Sequence, residues 1–205
     1  YEGGINEESQ DKETGYEQVA PTVYALVAAI DAKDSFTFQH STNVSQYAVL
    51  LAQKLGLSRN DIQTVKVAGL LHDIGKIGIP ESILKKAGKL TNEEYEIMKS
   101  HVEKSIEMIH YLPNMNYVIP AVVSHHERYD GKGYPRGIKG EEIPFLGRIL
   151  AVCDSFDAMI SKRAYKEPLS VEYAMGELEK NKGTQFDPEV ADAFIELIKE
   201  GKVPL

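Results

Sequence analysis

Imidazole and carboxylate side chains recur beside apolar segments of this chain. Seven of them stand out: His40, His72, Asp73, His101, His125, His126 and Asp154. A single histidine beside apolar residues is usually a satisfied core group, and a single aspartate is more often a helix cap or half of an ion pair. Seven together are different, because burying unpaired carboxylates is costly and a shared cation would satisfy all of them. The pattern therefore favours a metal site.

The ligand set is large enough for two metal ions. One metal with an open catalytic position needs only about three or four ligands, whereas seven suffice for two ions about 3.5–4 Å apart with a bridging carboxylate. His72 and Asp73 would point about 100° apart on a helix, which favours Asp73 as the bridge. Such ligands suit iron, manganese, zinc and other first-row divalent ions. The lone Cys153 excludes a zinc finger built from several thiolates.

Helices are expected to position these side chains, because the apolar residues recur at helical rather than alternating spacing. Pro21 suits a first helical position, and Ser58 with Asp61 and Thr91 with Glu94 have the spacing of N-terminal caps. The predicted helices cover residues 21–34, 42–55, 58–71, 91–111, 116–126, 145–160, 170–179 and 187–199. Strand signals are few. The predicted fold class is therefore all-α.

Composition excludes several classes of protein. The chain has 205 residues, of which 42% are hydrophobic, and this is enough for one core. It contains no apolar run long enough to span a membrane, and its net charge of −8 argues against a DNA or RNA partner. A single cysteine cannot form an intramolecular disulfide and suits a reducing compartment. We therefore expect a cytoplasmic protein, alone or as part of a larger, even membrane-anchored, one.

The N-terminal segment differs in composition from the rest. Residues 1–18 hold six carboxylates, one lysine and three glycines, and bury little apolar surface. We expect residues 1–18 to be a linker or a helical lead-in from a preceding domain, and residues 19–205 to form the functional domain.

Three sequence strings resemble the motifs of the HD-GYP family, a branch of the HD superfamily of metal-dependent phosphohydrolases. They are HDIGKIGIP at 72–80, HHERYDGKGYP at 125–135 and CDSFDAMISKRAYK at 153–166, and FDPEV at 186–190 resembles the family's C-terminal end. An HD pair alone is common to many hydrolases, but these strings in this order and spacing are specific. The resemblance covers roughly residues 19–197.

The resemblance implies a helical bundle of the HD type with a metal centre inside it. It also implies hydrolysis of cyclic di-GMP to pGpG, and leaves open a second step to GMP. One metal would be held by His40, His72, Asp73 and Asp154, and the other by Asp73, His101, His125 and His126. Three-metal members carry a glutamate four residues before the first histidine, where this chain has Phe36. Two metals are therefore expected, with iron or manganese favoured and zinc as another candidate.

The resemblance also places side chains around the substrate. Lys76 would neutralise phosphate charge with Asp34 orienting it, Tyr134 would contact the nucleotide, and Arg163 and Lys166 would contact the second phosphate or a guanine. Local sequence alone leaves blander interpretations open: a lysine at a helix end, a tight turn in DGKGYP, and two surface charges. Asp157, one turn after Asp154, is expected to support the metal ligands.

Other functions remain open at this point. The same chemistry could act on another cyclic dinucleotide or phosphoester, and Gln39, Val102 and Ser105 depart from the family pattern without removing a ligand. A non-catalytic module that senses nucleotides or docks a partner would be expected to have lost ligands. The expected partners are cyclic di-GMP and either a regulatory N-terminal domain or diguanylate cyclase domains.

Overall fold

The fold is a bundle of α-helices. The computed structural model describes residues 3–34, 36–163 and 166–205, with side chains from residue 15 onward. Its α-helices are α1 Gly3–Asp31, α2 Thr37–Lys54, α3 Arg59–Leu71, α4 Glu81–Leu84, α5 Asn92–Lys99, α6 His101–His110, α7 Ile119–Ser124, α8 Phe145–Ile160, α9 Val171–Lys180 and α10 Pro188–Lys199. Short 3-10 helices cover Ile74–Gly78, Asn116–Val118 and Gly140–Glu142. Within these described ranges there is no strand, and the predicted all-α class is confirmed.

Local capping signals set several helix starts as predicted. The Ser58 hydroxyl accepts a hydrogen bond from the Asp61 N–H at 3.1 Å and opens α3. At α5, the Thr91 hydroxyl accepts from the Glu94 N–H at 3.1 Å, and the Glu94 carboxylate accepts from the Thr91 N–H at 2.8 Å. Asp187 caps α10 in the same way. Each cap satisfies backbone N–H groups that the first helical turn leaves without partners.

The prediction that Pro21 opens a helix is wrong. Helix α1 begins at Gly3, and Pro21 lies inside it. Val19, Val23 and Val27 form one buried stripe along α1 and continue through Pro21 without a break. The packing of this stripe outweighs the one hydrogen bond that a proline cannot donate. The division into residues 1–18 and 19–205 stays a prediction.

Three other predicted helices also differ from those observed. Helix α2 begins at Thr37 rather than Thr42. Its first turn is polar in sequence, but His40 and Ser41 are buried there, and the turn is helical. The predicted helix over 91–111 is divided at Ser100 into α5 and α6. The predicted helix over 116–126 becomes a 3-10 turn followed by α7, which ends at Ser124.

The core lies between α2, α3 and α8. Helix α2 packs against α3 and α8, and α10 covers α2 and α8. At their meeting point the rings of Tyr47, Phe156 and Phe194 lie with centroids 5.0–6.0 Å apart. Fully burying a side chain of the Phe or Leu class stabilises the fold by about 1.5–3 kcal/mol. No helix in the part of the chain described here combines the length and apolarity needed to cross a bilayer.

Candidate metal centre

The seven candidate ligands come from five segments of the bundle and meet in one place. His40 lies near the start of α2, His72 and Asp73 follow α3, His101 is the first residue of α6, His125 and His126 follow α7, and Asp154 lies in α8. They form two groups, within each of which the candidate ligand atoms lie within 4.8 Å of one another. The groups are His40, His72, Asp73 and Asp154, and Asp73, His101, His125 and His126.

Asp73 belongs to both groups, and each of its oxygens faces one of them. Oδ2 lies 3.3 Å from His72 Nε2 and 3.8 Å from His40 Nε2. Oδ1 lies 3.2 Å from His101 Nε2 and 3.8 Å from His125 Nε2. This is the arrangement that a carboxylate bridging two cations requires.

The backbone that presents Asp73 is not α-helical, so the prediction that His72 and Asp73 lie on one helix is wrong. Helix α3 ends at Leu71, and Asp73 has φ −113° and ψ 8°. The chain tightens there into the 3-10 helix Ile74–Gly78. Asp73 therefore lies at the junction of two helices, where its carboxylate reaches both groups.

Backbone carbonyls on the side away from the cluster fix the orientation of three histidine rings. Each of three imidazoles donates its Nδ1–H to the carbonyl three residues earlier, at 2.6–2.7 Å: His72 to Gly69, His101 to Met98 and His125 to Val122. Because a carbonyl oxygen only accepts hydrogen bonds, the proton of each neutral ring resides on Nδ1. Each Nε2 lone pair then points into the cluster, ready to bind a metal.

His40 is held differently, by a carboxylate. Its Nδ1 lies 2.6 Å from Asp157 Oδ2, and its Nε2 lies 2.8 Å from Asp154 Oδ1. Asp157 is fully buried, and its other oxygen accepts a hydrogen bond from the Asn43 side-chain amide at 2.8 Å. This places Asp157 behind His40, where support for a metal ligand was predicted.

Unsatisfied atoms inside the cluster show that divalent cations fit these residues. Within the described residues, four buried atoms of the cluster lack a hydrogen-bond partner: His72 Nε2, Asp73 Oδ1, His101 Nε2 and His125 Nε2. Proteins rarely leave buried polar atoms unpaired. These atoms face one another and consist of imidazole nitrogens and a carboxylate oxygen, the donor set that first-row divalent ions prefer.

The electrostatics of the cluster keep its carboxylates ionised. Burial opposes the charge of Asp73, but His72 and Lys76 hold the pKa of this carboxyl well below its usual range. Burial likewise opposes ionisation of Asp154, and His40 and His72 lower its pKa well below the usual value. Burial lowers the pKa of His126 to about 4, so that this imidazole is neutral near pH 7. Burial opposes protonation of His72, but Asp73 and Asp154 raise the pKa of this imidazole to about 10. The site thus attracts cations with the negative charge of its carboxylates and offers neutral nitrogens at His125 and His126.

A cavity of about 410 Å³ opens beside the cluster, and most of the predicted substrate residues line it. Lys76 lies at its wall with Nζ 2.8 Å from Asp73 Oδ2. The Tyr134 ring stacks on His126 with centroids 4.8 Å apart and an interplanar angle of 17°. Arg163 and Asp34 also line the cavity. In the described part of the chain no ion pair joins Asp34 to Lys76, whose partner is Asp73.

Lys166 lies outside this cavity. It lines an adjoining cleft of about 460 Å³, to which Lys33, Lys162 and Arg163 also contribute. Backbone hydrogen bonds of 3.3 Å in both directions pair Arg163 with Lys166. Asp34 and Arg163 line both spaces, so the two open beside each other.

Sequence reasoning missed Glu127. Its carboxylate is buried and accepts hydrogen bonds from the N–H groups of Arg136 at 2.7 Å and Gly137 at 3.0 Å. Glu127 thereby ties the loop that carries Tyr134 to the segment that carries His125 and His126. Its position directly after the histidine pair is the sequence feature that could have indicated this role.

The family is established by comparison with known proteins. A family model described as HD domain matches residues 25–190. The chain belongs to the HD domain family. Its HD, HHE and GYP strings and its relatives are of the HD-GYP type. The ligand groups therefore lie in a fold whose family name refers to the His72–Asp73 pair.

Several curated relatives are enzymes that act on cyclic dinucleotides. The chain is 44% identical over 170 residues to a cyclic di-GMP phosphodiesterase of Thermotoga maritima, covering 82% of this chain and 46% of the relative. It is 41% identical to the cyclic di-GMP phosphodiesterase response regulator RpfG of Xanthomonas campestris, covering 87% and 48%. A 3'3'-cGAMP-specific phosphodiesterase 2 of Vibrio cholerae is 39% identical, with 85% and 34% covered. The chain thus spans a third to a half of the length of these relatives.

Solved structures share the fold. The HDG"Y"P protein Bd1817 from Bdellovibrio bacteriovorus aligns with a TM-score of 0.67 at 19% identity, covering 95% of this chain and 63% of that one. At this identity the likeness supports the fold alone.

Proposed function

We propose that the chain is a metal-dependent phosphodiesterase that hydrolyses cyclic di-GMP to pGpG, with a second hydrolysis to GMP as a further step. The observation that carries the proposal is the position of Asp73, whose two oxygens face two groups of ligands beside a cavity lined by cations. The relatives named as cyclic di-GMP phosphodiesterases support the choice of substrate.

Two divalent ions would occupy the two ligand groups, and iron or manganese suits their mixed histidine and carboxylate ligands. When bound, the ions supply a lowered pKa to water and positive charge to the phosphate under attack. Phe36, four residues before His40, offers no ligand atom for a third ion. Elemental analysis after anaerobic purification should give two tightly held metals per chain, and three would contradict the proposal.

The chain's own side chains would bind and orient the substrate. Lys76 reaches the cavity from Asp73, so its ammonium can stabilise charge on the non-bridging phosphate oxygens. Tyr134 offers a ring face to the nucleotide, and Arg163 and Lys166 suit its second phosphate or guanine. Asp34 remains our candidate for orienting Lys76 when substrate is bound.

A second candidate substrate is 3'3'-cGAMP, because a relative of 39% identity is named for it. Cations that contact phosphate do not distinguish one cyclic dinucleotide from another, so the two substrates must be compared directly. A module that only senses nucleotides is less well supported, since all seven ligand side chains are present and meet. We place the activity in the cytoplasm, joined to regulatory or diguanylate cyclase domains in a longer protein.

Asp73→Ala tests the metal centre. The substitution removes the shared carboxylate and leaves several buried imidazoles without a counter-charge, so metal content and hydrolysis of cyclic di-GMP should both collapse. Metal analysis and product chromatography measure the two effects. A variant that kept its full metal content and at least half of its activity would show that Asp73 does not bridge.

Arg163→Ala tests the substrate assignment separately. Losing a charge-assisted contact to phosphate costs about 1.5–3 kcal/mol, so KM for cyclic di-GMP should rise roughly 10- to 150-fold with the metals retained. Hydrolysis of bis(p-nitrophenyl) phosphate, which has no second phosphate or guanine, should fall much less. Equal losses of activity on both substrates would place Arg163 in the chemical step. No loss on either would mean that Arg163 is only a surface charge.

A further inference from the structure

Phe36 lies in contact with both a candidate metal ligand and a candidate substrate residue. Its ring stacks on the His40 imidazole with centroids 4.8 Å apart and an interplanar angle of 24°. The Arg163 guanidinium carbon lies 4.1 Å from the centroid of the same ring, within the range of a cation–π interaction. One aromatic side chain thus connects the metal cluster to the far wall of the cavity.

The Arg163 guanidinium has few other contacts to hold it. No carboxylate among the described residues pairs with it, and its Nε is buried without a hydrogen-bond partner. It lines both the cavity and the adjoining cleft, and Lys76 lines the same cavity. Asp34 lines both spaces as well, but among the described residues it forms no ion pair with Arg163. A guanidinium without a carboxylate partner, beside the second cation Lys76, suits an anionic ligand such as a phosphate diester.

An aromatic ring can hold a guanidinium without occupying its donors. A carboxylate partner would consume two N–H groups in a bidentate pair, whereas a ring face attracts the cation and leaves its in-plane N–H groups free. The ring itself has a fixed support, because His40 is held by Asp154 at 2.8 Å and Asp157 at 2.6 Å. The order of contacts is therefore Asp157, His40, Phe36 and Arg163.

We propose that Phe36 is a positioning residue for substrate binding, which holds the Arg163 guanidinium at the junction of the two cavities with its donors free for a phosphate. The inference rests on the proposed function for its substrate, cyclic di-GMP. Phe36 touches neither the substrate phosphate nor a metal in this role and acts through Arg163.

Kinetics of Phe36 variants test the proposal. Phe36→Leu should raise KM for cyclic di-GMP about 3- to 30-fold, the range that a cation–π contact supplies. The value of kcat, the metal content and hydrolysis of bis(p-nitrophenyl) phosphate should change by less than about twofold. Phe36→Tyr keeps the ring and should restore KM. In an Arg163→Ala background, Phe36→Leu should add nothing further.

The chain provides a matched control. Arg148 lies over the Phe145 ring at 4.8 Å, a pair of the same kind outside the cavity. Phe145→Leu should therefore leave KM unchanged. A loss of metal in Phe36→Leu would overturn the proposal, because the ring would then act by supporting the metal ligand His40. An unchanged KM would also overturn it, and so would a rise in KM that persists in the Arg163→Ala background.

A spectroscopic readout separates this inference from the proposed function. The chain has five arginines, so selective ¹⁵N-arginine labelling resolves few side chains. The Arg163 Nε–H and δ protons should show an upfield ring-current shift in the wild-type chain, lost in Phe36→Leu and kept in Phe36→Tyr, with Arg163→Lys giving the assignment. A wild-type chain that shows this shift but does not hydrolyse cyclic di-GMP would refute the proposed substrate alone. Absence of the shift in the wild-type chain would refute the role of Phe36, even if the Phe36→Leu variant did not fold.

Discussion

Among the histidines of the cluster, His40 alone in the described structure has a carboxylate behind its ring. Three of the others donate Nδ1–H to backbone carbonyls, which are neutral acceptors. The Asp157 carboxylate is fully buried and fixed by Asn43, so it orients the His40 ring. Burial opposes protonation of His40, but its hydrogen bonds to Asp154 and Asp157 raise the pKa of the imidazole. In metal proteins the loss of such a partner typically costs about 10- to 100-fold in metal affinity or activity.

Asp157→Asn should therefore weaken metal binding. The asparagine keeps the volume of the side chain, but it replaces the negative acceptor and can turn an NH₂ group towards the Nδ1–H of His40. We expect metal affinity to fall about 10- to 100-fold, measured by competition with a chelator. Asp192→Asn removes an exposed carboxylate of α10 that pairs with Lys182 and serves as the control. Equal affinities in the two variants would contradict a role for Asp157.

At the scale of elements, the 3-10 helix after α3 lies directly against α6. Gly75 donates its N–H to the Ser105 hydroxyl at 2.8 Å, and that hydroxyl also lies 2.8 Å from the His101 carbonyl. A Cβ at position 75 would lie 2.0 Å from the His101 oxygen and 2.4 Å from the Ser105 nitrogen. The close approach that brings Asp73 and His101 together thus requires glycine.

Gly75→Ala should destabilise the fold and disturb the site together. Overpacking typically costs about 1–3 kcal/mol, and here the obstacle is backbone, which cannot rotate away as a side chain can. Gly176→Ala in α9 is the matched control, because a Cβ there meets nothing within 4 Å. That substitution should stabilise the chain by about 0.4–1 kcal/mol. Urea unfolding measures both changes, and a neutral Gly75→Ala would refute the packing argument.

The sequence predicts elements best where the signal is local. The caps at Ser58 and Thr91 and the extent of α8 follow from residues within a few positions of each other. The start of α2 does not, because it depends on the burial of His40 against Asp154 and Asp157 in a distant helix. For the site, the motifs predict which ligands converge, whereas the position of Asp73 at a helix junction depends on the packing of α6 against the 3-10 helix.

At the scale of the whole molecule, the cluster joins segments that are far apart in sequence. Its members extend from His40 to Asp154 and belong to helices on several sides of the core. A cation in the first group would connect α2 with α8, and a cation in the second would connect α6 with the segment after α7. Both would bind the folded chain only. Metal should therefore stabilise the fold as a ligand does, by mass action.

Adding manganese to the chelator-treated protein should raise its melting temperature. At a free concentration of 100 Kd the gain is about 2.7 kcal/mol. For a chain of this size, that gain corresponds to about 5–11 °C. Scanning calorimetry with and without the ion measures the shift. The Asp73→Ala chain should show much less of it, and an equal shift in that variant would mean that the metal binds elsewhere.

Cys153 gives the molecule a built-in chemical reporter. It is the only cysteine of the chain, it is fully buried beside Asp154 in α8, and burial raises the pKa of its thiol well above the usual value. A thiol reagent can reach it only when α8 moves away from its neighbours, so the labelling rate measures how often the bundle opens at the site. Since Asp154 must leave its cluster in the same event, metal ions should slow labelling. The labelling rate of Cys153, measured with a chromogenic thiol reagent, would then report metal occupancy without any substrate.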